Sequence, residues 1–317
     1  MNVLAADVGG TNIRVGVVDA EGSIAARGEV STPPNGSPEM IASALAELSN
    51  HLTGENSIAV SSFGLAIPGV IDFSSGHVSR SPNLPQLNRV EFGRVVEEAT
   101  GLPVVLENDA TAAAIGEHWL GAARGFSNAI CITLGTGIGG GLIINGSPFA
   151  GADGTAGEVG HICVEPEGHP CGCGSRGCVE QYASATAIVR IANEGLDGGT
   201  ASKLGDKPSF SSKDVFESAL DGDAFALTVF GVAGRYLGIA CADLVNVLNP
   251  EVIVFTGGLS ASMRVLMGPM LDEMKKRAYQ QPAERVKLVR GELGDDAGIL
   301  GAAKQAFAKA YKRNSIS

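Results

Sequence analysis

Ala5-Ala6-Asp7-Val8-Gly9-Gly10-Thr11-Asn12 and, about 125 residues further on, Cys131-Ile132-Thr133-Leu134-Gly135-Thr136-Gly137 follow one plan. Each is an apolar strand that runs into a glycine–threonine turn. Each is followed by a β-branched returning strand, Ile13 to Val18 in the first and Ile138 to Ile144 in the second. A repeat of this kind is what a duplicated lobe leaves behind. The second copy also contains Gly-x-Gly-x-x-Gly at 135, 137 and 140. That spacing marks a dinucleotide fold only where a helix follows, and Leu142-Ile143-Ile144-Asn145-Gly146 reads as a strand and turn.

Outward from the first turn, apolar runs at 3–8, 12–18 and 23–30 predict an antiparallel meander, broken by Gly9-Gly10 and Asp19-Ala20-Glu21-Gly22. Ser37-Pro38 signals the start of a helix over 38–52. A strand at 57–66, a helix at 91–100, a strand at 104–106 and a helix from Asp109 to Trp119 complete the first half. Helices are expected at 182–194, 213–220, 223–247, 260–277 and 296–312, with strands at 251–256 and 285–289. The Gly/Ser-rich stretch 197–212 reads as a mobile surface loop. The last helix, Ala297 to Lys312, is expected to pack back on the first lobe.

The 317 residues suit two lobes, and 44% hydrophobic content is ample for burial. Glycine, at 44 residues, has about twice its usual share and clusters in short runs, as turns that approach a ligand require. A net charge of −11 argues against nucleic acid or an acidic membrane as partner. The N-terminus shows no export-signal pattern and no run of about 18 apolar residues appears, so the expected compartment is the cytoplasm, with no membrane partner. Asn35 and Asn145, each in Asn-Gly-Ser, then read as turns.

Three sites carry chemistry. Backbone N–H groups in a tight glycine turn make a concave anion site. Asp7 with Gly9, Gly10, Thr11 and Asn12 offers one, and its carboxylate suits hydrated Mg²⁺; a plain hairpin is the alternative. Gly135, Thr136 and Gly137 offer a second, and Gly257-Gly258 after the strand Val252 to Phe255 a third; no P-loop pattern exists. Glu107-Asn108-Asp109 stands where a strand meets a helix, so Asp109 is either a base for phosphoryl transfer to a hydroxyl or a helix cap. His161 with Cys171, Cys173 and Cys178 supplies three thiolates and an imidazole, the donor set of a closed structural zinc site. Cys131, Cys163 and Cys241 lie in apolar contexts and read as core.

Together these residues resemble the ROK family of sugar kinases and sugar-responsive repressors, from Asp7-Val8-Gly9-Gly10-Thr11 to Leu293-Gly294-Asp295-Asp296-Ala297-Gly298. The specific part is Gly157-Glu158-Val159-Gly160-His161, the cysteine loop, and Glu180. The resemblance implies an α/β fold of two ribonuclease-H-like, actin/hexokinase-type lobes with a cleft between them. The expected lobes are 1–118 with the returning helix 301–317, and 119–300, which carries the zinc loop. It further implies Asp109 as catalytic base on a hexose 6-hydroxyl, with Asn83, Asn108, Asp109, Glu158, His161 and Glu180 around the sugar. ATP, Mg²⁺ and a structural Zn²⁺ are the implied cofactors, with the glycine turns on the phosphates and Gly257-Gly258 on adenosine. His161 would ligate zinc by one ring nitrogen and face the sugar with the other. The runs Leu106 to Ala114 and Ile67-Pro68-Gly69 look most like glucokinases, which ranks glucose first, then N-acetylmannosamine, fructose or N-acetylglucosamine. A homodimer or homotetramer fits the family's habit. A sugar-responsive regulator is the non-enzyme alternative; with the first glycine turn beginning at Asp7 and no helix-turn-helix pattern ahead of it, an enzyme is expected.

Overall fold

The glycine–threonine turns organise two sheets. In the computed structural model, which describes residues 1–72 and 76–314, β1 (Asn2–Val8), β2 (Asn12–Asp19) and β3 (Ile24–Ser31) form the expected meander. Helix α1 (Pro38–Asn56) starts at Ser37, whose hydroxyl accepts from the Met40 N–H. Strand β4 (Val60–Ile67) is followed by a small hairpin, β5 (Val70–Asp72) with β6 (His77–Arg80), that the sequence reading does not anticipate. Helix α2 (Phe92–Thr100), β7 (Val104–Asn108) and α3 (Asp109–Leu120) follow. The sheet order is β3-β2-β1-β4-β7, antiparallel through the meander and parallel from β1 to β7.

The second sheet repeats this order as β10-β9-β8-β11-β12. Its strands are β8 (Ala129–Leu134), β9 (Ile138–Ile144), the short β10 (Ser147–Pro148), β11 (Val252–Thr256) and β12 (Lys287–Arg290). Asn145-Gly146 makes the two-residue turn between β9 and β10 with φ of 51° and 75°, as the Asn-Gly pair demands. Between β10 and β11 lie α4 (Glu180–Ala183), α5 (Ala185–Asp197), α6 (Ser212–Leu220) and α7 (Ala224–Leu248). Between β11 and β12 lie α8 (Met263–Arg277) and α9 (Gln280–Arg285), the latter unexpected. The loop 197–212 contains a 3₁₀ turn at Lys203–Asp206.

The chain is a mixed α/β protein in which the ribonuclease-H-like strand order occurs twice. It divides into two compact units, 1–125 with 141–157 and 292–317, and 126–140 with 158–291. The sequence reading sets the boundaries at 118/119 and 300/301 instead, and residues 315–317 of its terminal segment lie outside the described residues. Helix α10 (Ala297–Asn314) belongs to the first unit and packs on α3, β4 and β1, as expected. A side chain at Gly116 would strike the Ala297 carbonyl and one at Gly301 the Ala112 carbonyl, so the two helices touch backbone to backbone.

In the second unit, α7 is long and apolar enough by length and composition to cross a membrane, a run the sequence reading overlooks. Half of its most apolar window is buried, and it packs on α4, α5, α6, α8 and α9, which is the setting of a core helix.

Candidate functional site

In the first unit, Asp7 ends β1 just before the turn Gly9–Asn12. The Gly9 N–H donates to the Asn12 carbonyl (2.9 Å), which closes the turn. Thr32 ties it from behind: its hydroxyl donates to the Gly9 carbonyl (2.7 Å) and its N–H to the Thr11 carbonyl (2.8 Å). Carbonyl oxygens would repel a phosphate, so engaging them suits the turn to an anion. Thr32 follows the meander with no sequence signal of this role. Burial pushes the Asp7 carboxyl up to about 6; the charges of Asp109 and Asp295 add to the rise and Arg14 opposes it. Asp7 and Asp109 are therefore electrostatic neighbours, and the backbone of Asn83 lies close against Gly10.

The cap of α3 is Asn108, whose Oδ1 accepts from the Thr111 N–H (3.0 Å) while its Nδ2 donates to the Gly69 carbonyl (2.9 Å). Asp109 occupies the first turn and accepts from the Ala110 N–H (2.9 Å). Glu107 is buried beneath them and accepts from Gln305 Nε2 (2.7 Å) and the Asn108 N–H (3.0 Å), with burial raising its carboxyl. The strand-to-helix junction is thus fixed by its neighbours, and Asp109 is not needed as the cap.

In the second unit, the turn Gly135–Gly137 mirrors the first. The Gly135 N–H donates to the Gly137 carbonyl (2.9 Å), the Ala185 N–H to the Gly135 carbonyl (2.9 Å), and the Thr186 hydroxyl to the Thr136 carbonyl (2.8 Å). Glu180 Oε2 accepts from the Ile138 N–H (3.0 Å), so one of the expected sugar ligands braces the second turn. Gly257 (φ 79°) lies against the backbone of Leu134, where any side chain would collide, which places Gly257-Gly258 beside Gly135.

His161 Nε2 is 3.8 Å from Glu158 Oε2, and its Nδ1 is 3.6 Å from Cys171 Sγ. Cys173 and Cys178 bring their sulfurs to 3.7 Å, and all four donor atoms lie within 4.8 Å of one another. A tetrahedron with Zn–S of about 2.3 Å and Zn–N of about 2.1 Å has edges of about 3.8 Å and 3.6 Å. The donor set fits zinc. Burial pushes the Cys178 thiol up to about 12, a cost that a bound dication removes by holding the thiolate. Cys131 and Cys241 are buried as expected, but Cys163 is exposed.

The structure therefore gathers Asp7, the first turn, Asn83, Asn108 and Asp109 in one unit, and the other glycine turns, Glu158, His161, Glu180 and the cysteines in the other. A doubled strand order with a glycine–threonine turn after the first strand of each sheet defines the actin/hexokinase-like class of α/β proteins. Within it the chain belongs to the ROK family, whose model matches residues 3–309. It is 40% identical over 305 residues to a glucokinase of Halalkalibacterium halodurans, covering 93% of this chain and 92% of that one. A ROK hexokinase from Thermus thermophilus superposes with a TM-score of 0.85 at 36% identity, over 98% of this chain and 100% of that one. A ROK family glucokinase from Streptomyces griseus, solved with glucose and AMPPNP, gives 0.83 at 36% identity, over 97% and 100%.

Proposed function

We propose that this chain is an ATP-dependent hexose kinase that phosphorylates the 6-hydroxyl of glucose. The observation that carries the reading is that Asn108, not Asp109, caps α3. Asp109 therefore stands in the first turn in a role other than the cap, in the electrostatic company of Asp7 at the end of β1. The glucokinase relatives and the glucose- and AMPPNP-bound neighbour support the choice of sugar and donor.

In this reading Asp109 accepts the 6-hydroxyl proton as that oxygen bonds to the γ-phosphorus of ATP, the bond from that phosphorus to the bridging oxygen breaks and ADP leaves. Asn83, Asn108, Glu158, His161 and Glu180 hold the sugar. The turns Gly9–Asn12 and Gly135–Gly137 would take the phosphates, Gly257-Gly258 would face adenosine, and Asp7 would hold hydrated Mg²⁺. His161, Cys171, Cys173 and Cys178 would hold one zinc, whose four protein ligands leave it a structural cross-link with no open position. His161 then presents Nδ1 to the metal side and Nε2 to Glu158 and the sugar, so the loop aims the sugar ligands. The enzyme is assigned to the cytoplasm, as a homodimer or homotetramer.

The test is coupled ADP release with ATP and Mg²⁺ across glucose, fructose, N-acetylmannosamine, N-acetylglucosamine and 6-deoxyglucose. Glucose should show the highest kcat/KM and 6-deoxyglucose none. Asp109→Asn should lower kcat by about 10²–10⁴-fold, the usual worth of a positioned base, with little change in sugar affinity. A preference for N-acetylmannosamine would move the substrate assignment. A near-normal Asp109→Asn would remove the base.

A further inference from the structure

The cysteine loop is built on a two-stranded ribbon in which Cys163 and Cys178 form an antiparallel bridge. The hydrogen bonds that flank it run from Val164 N–H to the Gly177 carbonyl (2.8 Å) and from Val179 N–H to the Ile162 carbonyl (2.9 Å). Bonds at the flanking residues, not at the pair, make Cys163 and Cys178 a non-hydrogen-bonded pair. Such pairs stand about 4.5 Å apart at Cα, with both side chains on one face of the ribbon. A disulfide spans Cα separations of about 4.4–6.8 Å, so the backbone already suits one. Cys163 is exposed and does not belong to the four-residue donor cluster, whereas Cys178 is fully buried within it.

We propose that Cys163 is an oxidation site, and that its disulfide with Cys178 dismantles the cysteine–histidine cluster. The oxidant is a hydroperoxide, with hydrogen peroxide as the simplest member. The Cys163 thiolate attacks one peroxide oxygen; an S–O bond forms, the O–O bond breaks and hydroxide leaves. The Cys178 thiolate then attacks the sulfenic sulfur; the S–S bond forms, the S–O bond breaks and a second hydroxide leaves. With the two thiol protons, the products are one disulfide and two waters. Two sulfurs have given up two electrons and the peroxide has taken them.

Cys178 cannot serve the disulfide and the cluster together. His161, Cys171 and Cys173 are then left as an incomplete set, which a structural zinc site does not tolerate. Metal loss releases the ring of His161 and so weakens sugar binding, and a dithiol reductant with added zinc restores both. This consequence rests on the zinc reading above; the disulfide itself needs only the ribbon. The competing pair is Cys173 with Cys178, whose sulfurs are 3.7 Å apart.

The experiment uses the full chain, reduced, with its zinc content measured by elemental analysis, then exposed to a modest excess of hydrogen peroxide. Zinc release is followed with a chromogenic chelator. Cleavage after Glu167 and Arg176 puts Cys163, the Cys171/Cys173 pair and Cys178 on three different peptides for mass spectrometry without reduction. The expected result is a Cys163–Cys178 cross-linked peptide, lighter by about two mass units than its parts, with zinc released in step. Cys163→Ser should keep the untreated activity and slow zinc release by about tenfold or more, since the exposed thiol that meets the oxidant is gone. Equal release from Cys163→Ser, or a cross-link between Cys178 and the Cys171/Cys173 peptide alone, overturns the proposal. A protein that holds no zinc yet forms the Cys163–Cys178 link refutes the zinc reading and leaves the oxidation site standing. One that holds zinc and forms no such link does the reverse.

Discussion

Asp7 places a pH-dependent cost on the folded state. Its carboxyl is raised from 3.8 to about 6, first by burial and then by Asp109. A carboxyl whose folded pKa lies above its unfolded one costs the folded state nothing at low pH. The cost grows as pH rises past the unfolded value, and is complete above the folded value. A rise of this size corresponds to at most about 3 kcal/mol. In protein free of metal and nucleotide, Asp7→Asn should therefore raise the melting temperature at pH 8 and change it little at pH 4, while phosphorylation is lost. Equal effects at both pH values would show that the carboxyl is not strained by its surroundings. Residue-level roles are unevenly legible in the sequence. His161 and the three cysteines of its cluster stand out by spacing, but whether Asp109 or Asn108 caps α3 is decided by which oxygen reaches Thr111, and no sequence pattern records that. Cys163 reads as core from its apolar neighbours, yet it is exposed, and nothing in the local sequence records that.

At the scale of the element, the cysteine loop is held by more than its donor cluster. The His169 N–H donates to the Tyr182 hydroxyl (3.0 Å), Tyr182 stacks on Tyr236 at 4.0 Å, and the Cys171 N–H donates to the Ser175 carbonyl (2.9 Å). These contacts persist without metal, so the damage from losing it should be local. Cys173→Ser, or stripping with a strong chelator, should raise the sugar KM about tenfold or more and leave the ATP KM and helical signal near normal. A protein that holds no metal as purified and works at full rate would show that the cluster has another use. Most elements are legible because their local signals agree with the fold, as at Ser37-Pro38 and Asn145-Gly146. The expected single helix over 182–194 is instead broken at Ser184, with α4 before it and α5 after. Ser184 takes an extended conformation and caps α5 through Ala187, which lets Ala185 reach the Gly135 carbonyl. That break serves a turn some 50 residues away, beyond the range of helical periodicity.

Over the whole molecule, the repeated strand order follows from the two glycine turns, but the way the chain leaves and re-enters its first unit does not. It leaves after Gly125 and returns at Glu292 for its last passage, and Glu117 is bonded to both segments. This carboxylate is fully buried on α3. Its Oε2 accepts from the N–H groups of Ala122 (2.8 Å) and Glu292 (3.2 Å), and its Oε1 from Leu293 (3.0 Å). Its main-chain carbonyl accepts from Gly121 and Ala123, both at 3.0 Å. An acid after the apolar run Ala112-Ala113-Ala114-Ile115-Gly116 is the visible clue; its partners, 175 residues away, are not. Removing it breaks three charge-assisted bonds to part-buried N–H groups, each worth at most about 1.5–3 kcal/mol, so Glu117→Ala should destabilise the first unit by about 3–5 kcal/mol. At about 2–4 °C per kcal/mol, the melting temperature should fall by roughly 10 °C. Glu117→Gln keeps one acceptor oxygen for Ala122 and Glu292 but sets an amide NH₂ against the Leu293 N–H, so its loss should be intermediate. Calorimetry of the three proteins side by side checks the order. If both variants melt with the parent, the carboxylate is not what fastens the departing and returning segments together.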